Sequence, residues 1–174
     1  MLIGEKIILR PLKIEDLDKT HQWRNNLDLI KLTQGVRFPK TLEMDNDWFE
    51  NALNDKSNRN LYFGIDEIET GEFIGLIQLT NVDYVSRNAM LGFVIGNDKK
   101  QGKGYGYEAN KLIIDYSFMQ INLKKITSYI LEDNIPSIGL FVKLGFIEEG
   151  FLREHFYVDG KFKNITIMSL INEK

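Results

Sequence analysis

Apolar residues change their spacing several times along the chain, and each change marks an element. Residues 6–10 (Lys-Ile-Ile-Leu-Arg) are extended and rich in Ile, and Pro11 stops them, which predicts an opening strand. Ile14, Leu17, His21, Arg24 and Leu27 then recur at spacings of three and four, with Glu15 and Asp16 at the front where a helix dipole favours acids. That spacing predicts one amphipathic helix. A second follows Thr41, because Trp48, Phe49, Ala52 and Leu53 share a face before the polar stretch 54–60. Residues 33–40, with Gly35 and Pro39, read as a loop. From Leu61 the period becomes that of strands: 61–65, a turn around Glu69-Thr70-Gly71, then 73–80 and 88–95, an antiparallel meander. Helical spacing returns at Tyr105, Ala109, Leu112, Ile113 and Tyr116, in a helix beginning near Gly104. A strand over 125–131, a helix from about 136 to 144 and two strands over 146–158 and 162–171 complete the pattern, with Asp159-Gly160 as a hairpin turn between the last two. The class is α+β: a mixed, mostly antiparallel sheet of six or seven strands covered by about four helices, in a single domain spanning residues 1–174.

Composition removes several kinds of chemistry. The 174 residues contain no cysteine, which excludes disulfides, thiol nucleophiles and thiolate metal sites. His21 and His155 are the two histidines, too few for a zinc centre, so no metal is expected. With 22 Lys and Arg against 25 Asp and Glu, the net charge is −3, and no long basic block suggests a nucleic-acid partner. Charge appears at Glu5 and Lys6, and no stretch approaches the roughly 18 apolar residues of a membrane span. The expectation is a cytoplasmic protein, without a membrane partner, acting on a small-molecule or protein substrate.

The informative segment is Gln101-Gly102-Lys103-Gly104-Tyr105-Gly106, between a strand and a helix. Three glycines there let the backbone approach a ligand closely, and the free N–H groups of the helix start would point at it with the positive dipole end behind them. One reading is a pyrophosphate cradle; the other is a glycine-rich surface turn. The spacing is neither the dinucleotide fingerprint nor a P-loop. A second segment runs from Asn134 to Phe146, after a strand. Asn134 can cap its helix, Pro136 suits the first turn, and Gly145 can end it in a left-handed conformation.

Together the two segments resemble the GNAT superfamily of acetyl-coenzyme A dependent N-acyltransferases. Gln101, Gly104 and Gly106 meet its Q/R-x-x-G-x-G/A motif, and Asn134, Ser137, Lys143, Gly145 and Phe146 meet its later N-x-x-(A/S)-x-x-x-Y-x-K-x-G-F signature. Leu9-Arg10-Pro11, Glu15-Asp16-Leu17, Glu149-Gly150, Leu152-Arg153 and Asp159-Gly160-Lys161 are similar to members that acetylate ribosomal-protein N-termini, polyamines and amino sugars. The resemblance implies a sheet splayed between strands 88–95 and 125–131, with pantetheine in the gap. It implies that the backbone of Phe93, Val94 and Ile95 holds the pantetheine arm and polarises the acetyl carbonyl. Gln101, Gly102, Lys103, Gly104, Tyr105 and Gly106 would hold the pyrophosphate, and Asn134, Ser137, Phe141 and Lys143 complete the expected acetyl-CoA site.

Phe141 departs from the pattern, because it occupies the place of the family's tyrosine and has no exchangeable proton. Tyr105, Tyr107 or a water would have to return a proton to the leaving thiolate. For the base, Glu132, His155 and Tyr84 are the candidates, and the resemblance places Trp23, Arg24 and Trp48 in the helices that roof the acceptor site. Gln78 and Met90 stand where polyamine acetyltransferases tend to carry acids. Val82-Asp83-Tyr84 with Leu152-Arg153-Glu154-His155 is closer to enzymes acting on nucleotide-linked amino sugars. The expected acceptor is therefore an amino sugar or other small amine, then a protein α-amine, then a polyamine. A domain that binds acetyl-CoA without turnover is the alternative class. The exposed final strands admit a homodimer.

Overall fold

The computed structural model describes residues 1–34 and 38–173. In chain order the described residues form β1 (Leu2–Ile3), β2 (Ile7–Pro11), α1 (Leu17–Arg24), α2 (Leu27–Thr33), α3 (Leu42–Leu53), β3 (Leu61–Glu67), β4 (Phe73–Asp83), β5 (Asn88–Ile95), α4 (Tyr105–Met119), β6 (Lys125–Leu131), α5 (Ile135–Lys143), β7 (Ile147–Val158) and β8 (Lys161–Ile171). One eight-stranded sheet has the order β1-β2-β3-β4-β5-β6-β8-β7. Its pairings are antiparallel except β5 with β6. That is more than the six or seven strands expected, because the two-residue β1 is too short to carry a period.

The single helix expected over Ile14 to Leu27 is in fact broken. Asn25 and Asn26 separate α1 from α2, and the Asn26 side chain accepts from Asp28 N and Leu29 N to start a new helix. The described residues therefore hold five α-helices rather than about four. The expected loop 33–40 begins within α2 at Thr33, and its Gly35 lies outside the described residues. The Asp159-Gly160 hairpin turn is present, with φ of 50° and 78° at the two residues.

Strand alternation divides the side chains between two layers. Ile65, Ile77, Leu79 and Leu91 face α4 and α5, where Ala109, Ile113 and Phe141 complete the main core. Gly64, Leu76, Gln78, Gly92 and Val94 alternate to the other face, beneath α1, α2 and α3. On that face Arg10 binds Asp16 and Asp66 with four hydrogen bonds of 2.6–2.8 Å. This buried cluster ties β2 and β3 to the turn that opens α1, and the paired carboxylates raise the arginine's affinity for its proton further.

The parallel pairing of β5 with β6 ends at Met90↔Thr127. Beyond it the strands separate, and this splay positions the site.

Candidate active site

Ser128 Oγ donates to the Leu91 carbonyl at 3.0 Å, which fixes the point of separation. Backbone groups alternate edges along a strand, so the remaining groups of β5 can be assigned. Leu91 O and Ile95 O point to the gap, the latter accepting from Gln101 Nε2 at 3.1 Å, whereas Gly96 N donates to Ile74 O on the β4 side. Phe93 shares the alternation of Leu91 and Ile95. Its N–H and C=O therefore face the gap that β6 has left, while those of Val94 face β4.

A cavity of about 400 Å³ fills the splay. Its walls include Leu91 to Ile95 of β5, Ser128 to Ile130 of β6, the turn before α4 and the start of α5. Gly102 and Gly104 have φ of 72° and 89°, values that favour glycine, and they wrap the chain around the cavity end. The first helical bond of α4 runs from Glu108 N to Gly104 O at 3.1 Å, so the amides of Tyr105, Gly106 and Tyr107 have no helical acceptor. Gly104, the cap residue, offers no side chain to them. A Cβ on Gly106 would come within 2.9 Å of Phe93 Cε2, so glycine there keeps the helix start against the strand. The result is a set of free donors at a positive dipole end, which suits a pyrophosphate.

This cradle is braced from behind. Buried Glu67 accepts from Lys100 Nζ at 2.5 Å, from Thr70 Oγ1 at 2.5 Å and from the Tyr105 hydroxyl. The Lys100 hydrogen bond leads in holding the Glu67 carboxyl down at about 2, with those of Thr70 and Tyr105 adding to it. Glu67 in turn pushes the Tyr105 phenol up. Lys6 Nζ also donates to Lys103 O at 3.3 Å.

Of the residues expected at the cofactor, Phe93, Val94, Ile95, Gln101, Gly102, Gly104, Gly106, Asn134, Ser137 and Phe141 line this cavity. Lys103, Tyr105 and Lys143 are not in its lining. Tyr105 is turned to Glu67, and the Lys143 ammonium sits 4.7 Å over the ring of Tyr107, which does line the cavity. Asn134 caps α5 by accepting from Ser137 N at 3.2 Å, and its amide donates to Leu32 O at 3.0 Å. That second bond, with Gln34 Nε2 donating to Tyr129 O at 2.7 Å, fastens α2 across the splay. Phe141 is 1% exposed, with Phe146 and Phe93 ring centroids 4.8 and 6.1 Å away.

A second cavity of about 340 Å³ lies on the α1–α3 side. Trp23, Arg24, Trp48, Tyr62 and Gln78 form much of its wall, and it shares Leu29, Thr33, Gly92, Phe93 and Val94 with the first. The two cavities thus meet at the stretch of β5 whose Phe93 amide faces the gap. The arrangement allows a donor molecule from one side and an acceptor from the other to meet at a backbone N–H.

The structure brings none of Glu132, His155 and Tyr84 to either cavity. Both Glu132 oxygens accept from Asn164, through its backbone N and its Nδ2, each at 2.9 Å. The Tyr84 hydroxyl donates to Asn58 O at 2.7 Å, and the residue is 50% exposed. His155 is exposed where β7 bulges between Leu152 and Phe156. Sequence reasoning missed Ser128 and the α2 residues Leu29, Leu32 and Thr33. The signal for Ser128 was available: it is the polar member of the inward series Ile126, Ser128, Ile130.

A model of the acetyltransferase (GNAT) domain matches residues 6–147, and the chain belongs to that family. It is an acetyl-CoA dependent N-acetyltransferase. Spermidine N(1)-acetyltransferase of Escherichia coli K12 is 31% identical over 171 residues, covering 98% of this chain and 89% of the relative. An uncharacterised N-acetyltransferase, p20, of Bacillus licheniformis is 30% identical over 179 residues, covering 99% and 97%. Among solved structures, the spermidine N-acetyltransferase of Vibrio cholerae in complex with CoA and spermine matches with a TM-score of 0.89. It is 25% identical, with 97% of this chain and 96% of that one covered. No helix among the described residues is long and apolar enough to cross a membrane.

Proposed function

We propose that this protein acetylates the primary amine of a small molecule by direct attack, with acetyl-CoA in the splay cavity and the amine in the α1–α3 cavity. The observation that carries the reading is the meeting of the two cavities at Phe93, whose N–H faces the gap. Acetyl-CoA supplies an activated thioester. Amides at the start of α4, with Gly102 and Gly104, hold its pyrophosphate, and Gln101 keeps the preceding turn in place through Ile95 O. Phe93 N–H donates to the carbonyl oxygen as negative charge grows on it, the role of an oxyanion donor. A new bond forms between the amine nitrogen and the acyl carbon as the bond to sulfur breaks, and a proton passes from nitrogen to thiolate. Phe141 has no proton to give in that step, so return runs through water or another hydroxyl of the wall. Neither cavity's lining supports Glu132, His155 or Tyr84 as the base.

The relatives named spermidine N-acetyltransferases favour an aliphatic polyamine as acceptor, and the aromatic walls of Trp23, Trp48 and Tyr62 would accommodate its chain. A second reading, an amine on an oxygen-bearing body, is favoured by one specific observation: among the described residues, Arg24 and Gln78 line the acceptor cavity, and no carboxylate does. The test is a screen of polyamines, amino sugars, amino acids and peptides with acetyl-CoA, read by the mass of the acetylated product. Acetylated small amine supports the proposal. No product from any amine would overturn it in favour of a non-catalytic acetyl-CoA binding domain.

A further inference from the structure

The charged group in the acceptor wall is a cation, although the site is built to receive an amine. Among the described residues, Arg24 lines the cavity with the neutral residues Trp23, Trp48, Tyr62 and Gln78, and no Asp or Glu is in the lining.

The Arg24 side chain is held in place from one side. Its Nε lies 3.1 Å from Asp45 Oδ1, and Asp45, fully buried, also binds His21 Nδ1 through Oδ2 at 2.7 Å. Its guanidinium lies 4.4 Å over the ring of Trp48. The anchor is an ion pair at the inner nitrogen and not a hydrogen bond, since Asp45 Oδ1 has no hydrogen-bond partner among the described residues. The two terminal nitrogens have no hydrogen bond to a described residue, and the side chain keeps 22% exposure. Asp45 is fully buried and outside the lining, whereas Arg24 is part of it, so a molecule in the cavity meets the cation and not its carboxylate. Guanidinium donors in a fixed fork suit carboxylate, phosphate or hydroxyl oxygen and repel a second ammonium. Gln78 of β4, in the same lining, offers amide groups where an ammonium would be served by a carboxylate.

We propose that Arg24 is a specificity-determining residue that receives an oxygen-bearing group on the acceptor's body, so that the preferred acceptor is a primary amine carrying a hydroxyl or an anion instead of a second ammonium. This rests on the small-amine N-acetyltransferase reading above and narrows its acceptor.

Three amines of equal chain length test it: cadaverine, aminopentanol and aminovalerate, which end in ammonium, hydroxyl and carboxylate. With the wild-type protein, kcat/KM for aminopentanol or aminovalerate exceeds that for cadaverine by about tenfold or more, the discrimination a buried polar recognition site supports. Which of the two leads tells hydroxyl from anion recognition. Arg24→Lys keeps a charge for Asp45 but loses the fork, and it removes most of this preference through the acceptor KM, with the acetyl-CoA KM as the internal control. The wild-type ranking stands alone if the variant fails to fold. A preference for cadaverine or spermidine overturns the inference while leaving the acetyltransferase reading in place. A ranking that survives Arg24→Lys in a folded variant also overturns it. Turnover of no amine sinks both.

Discussion

Ser128 Oγ donates to Leu91 O one residue past the last β5–β6 pair, so a single side chain occupies the hydrogen-bonding place of the strand that has turned away. The bond is buried. Ser128→Ala leaves the Leu91 carbonyl without its partner and is expected to cost about 1–3 kcal/mol in urea unfolding, with weaker CoA binding. An unchanged unfolding midpoint and unchanged CoA affinity would show that the splay is held elsewhere.

Gly104 has a φ of 89° at the cap of α4. A β-branched residue there meets a left-handed cost of roughly 1–2 kcal/mol and turns the cradle amides away from the cavity. Gly104→Val is therefore expected to weaken CoA binding about tenfold or more by calorimetry. Binding at wild-type strength would remove the cradle argument.

The Glu67 carboxyl is held at about 2, against an ordinary 4.5, chiefly by the hydrogen bond from Lys100. Because the folded value lies below the unfolded one, this stabilisation is complete above pH about 4.5 and is lost as pH falls toward about 2. Thermal melts of the wild type are expected to fall more steeply across that window than those of Glu67→Gln. At neutral pH the variant should also bind CoA less well, since Lys100 and Tyr105 lose the carboxylate that braces the cradle. Parallel melting curves for the two proteins would contradict this.

Phe141 lies among Phe93 and Phe146, at the place of the family's tyrosine. Carbonyl polarisation is assigned to a backbone amide and thiolate leaves readily, so Phe141→Tyr is expected to change kcat by less than about tenfold, below the range typical of a working general acid. A rise of about a hundredfold would identify proton return at this position as limiting.

The parts of the site built from contiguous residues were legible in the sequence. Glycines at 102, 104 and 106 announce a backbone that must approach a ligand, and Asn134, Pro136 and Gly145 mark the ends of α5 by local chemistry. The hairpin at Asp159-Gly160 needs φ above zero at both residues, and the two residues advertise it. The acceptor wall was legible only in part, because it is made by packing: Gln78 faces Gly92 through strand register, and Arg24 reaches the slot by stacking on Trp48 of another helix. The break at Asn25-Asn26 was hidden by apolar spacing that continues across it. Glu132, an attractive carboxylate at a strand end, is held by Asn164 of a strand distant in sequence, which no local pattern reveals.

The most direct test of the central claim is a single-turnover experiment with acetyl-CoA and the amine panel, following CoA release and acetylated product together. The account predicts equal amounts of CoA and N-acetylated small amine, with loss of both in Gly104→Val at low acetyl-CoA. Saturable CoA binding with no product from any amine would contradict it.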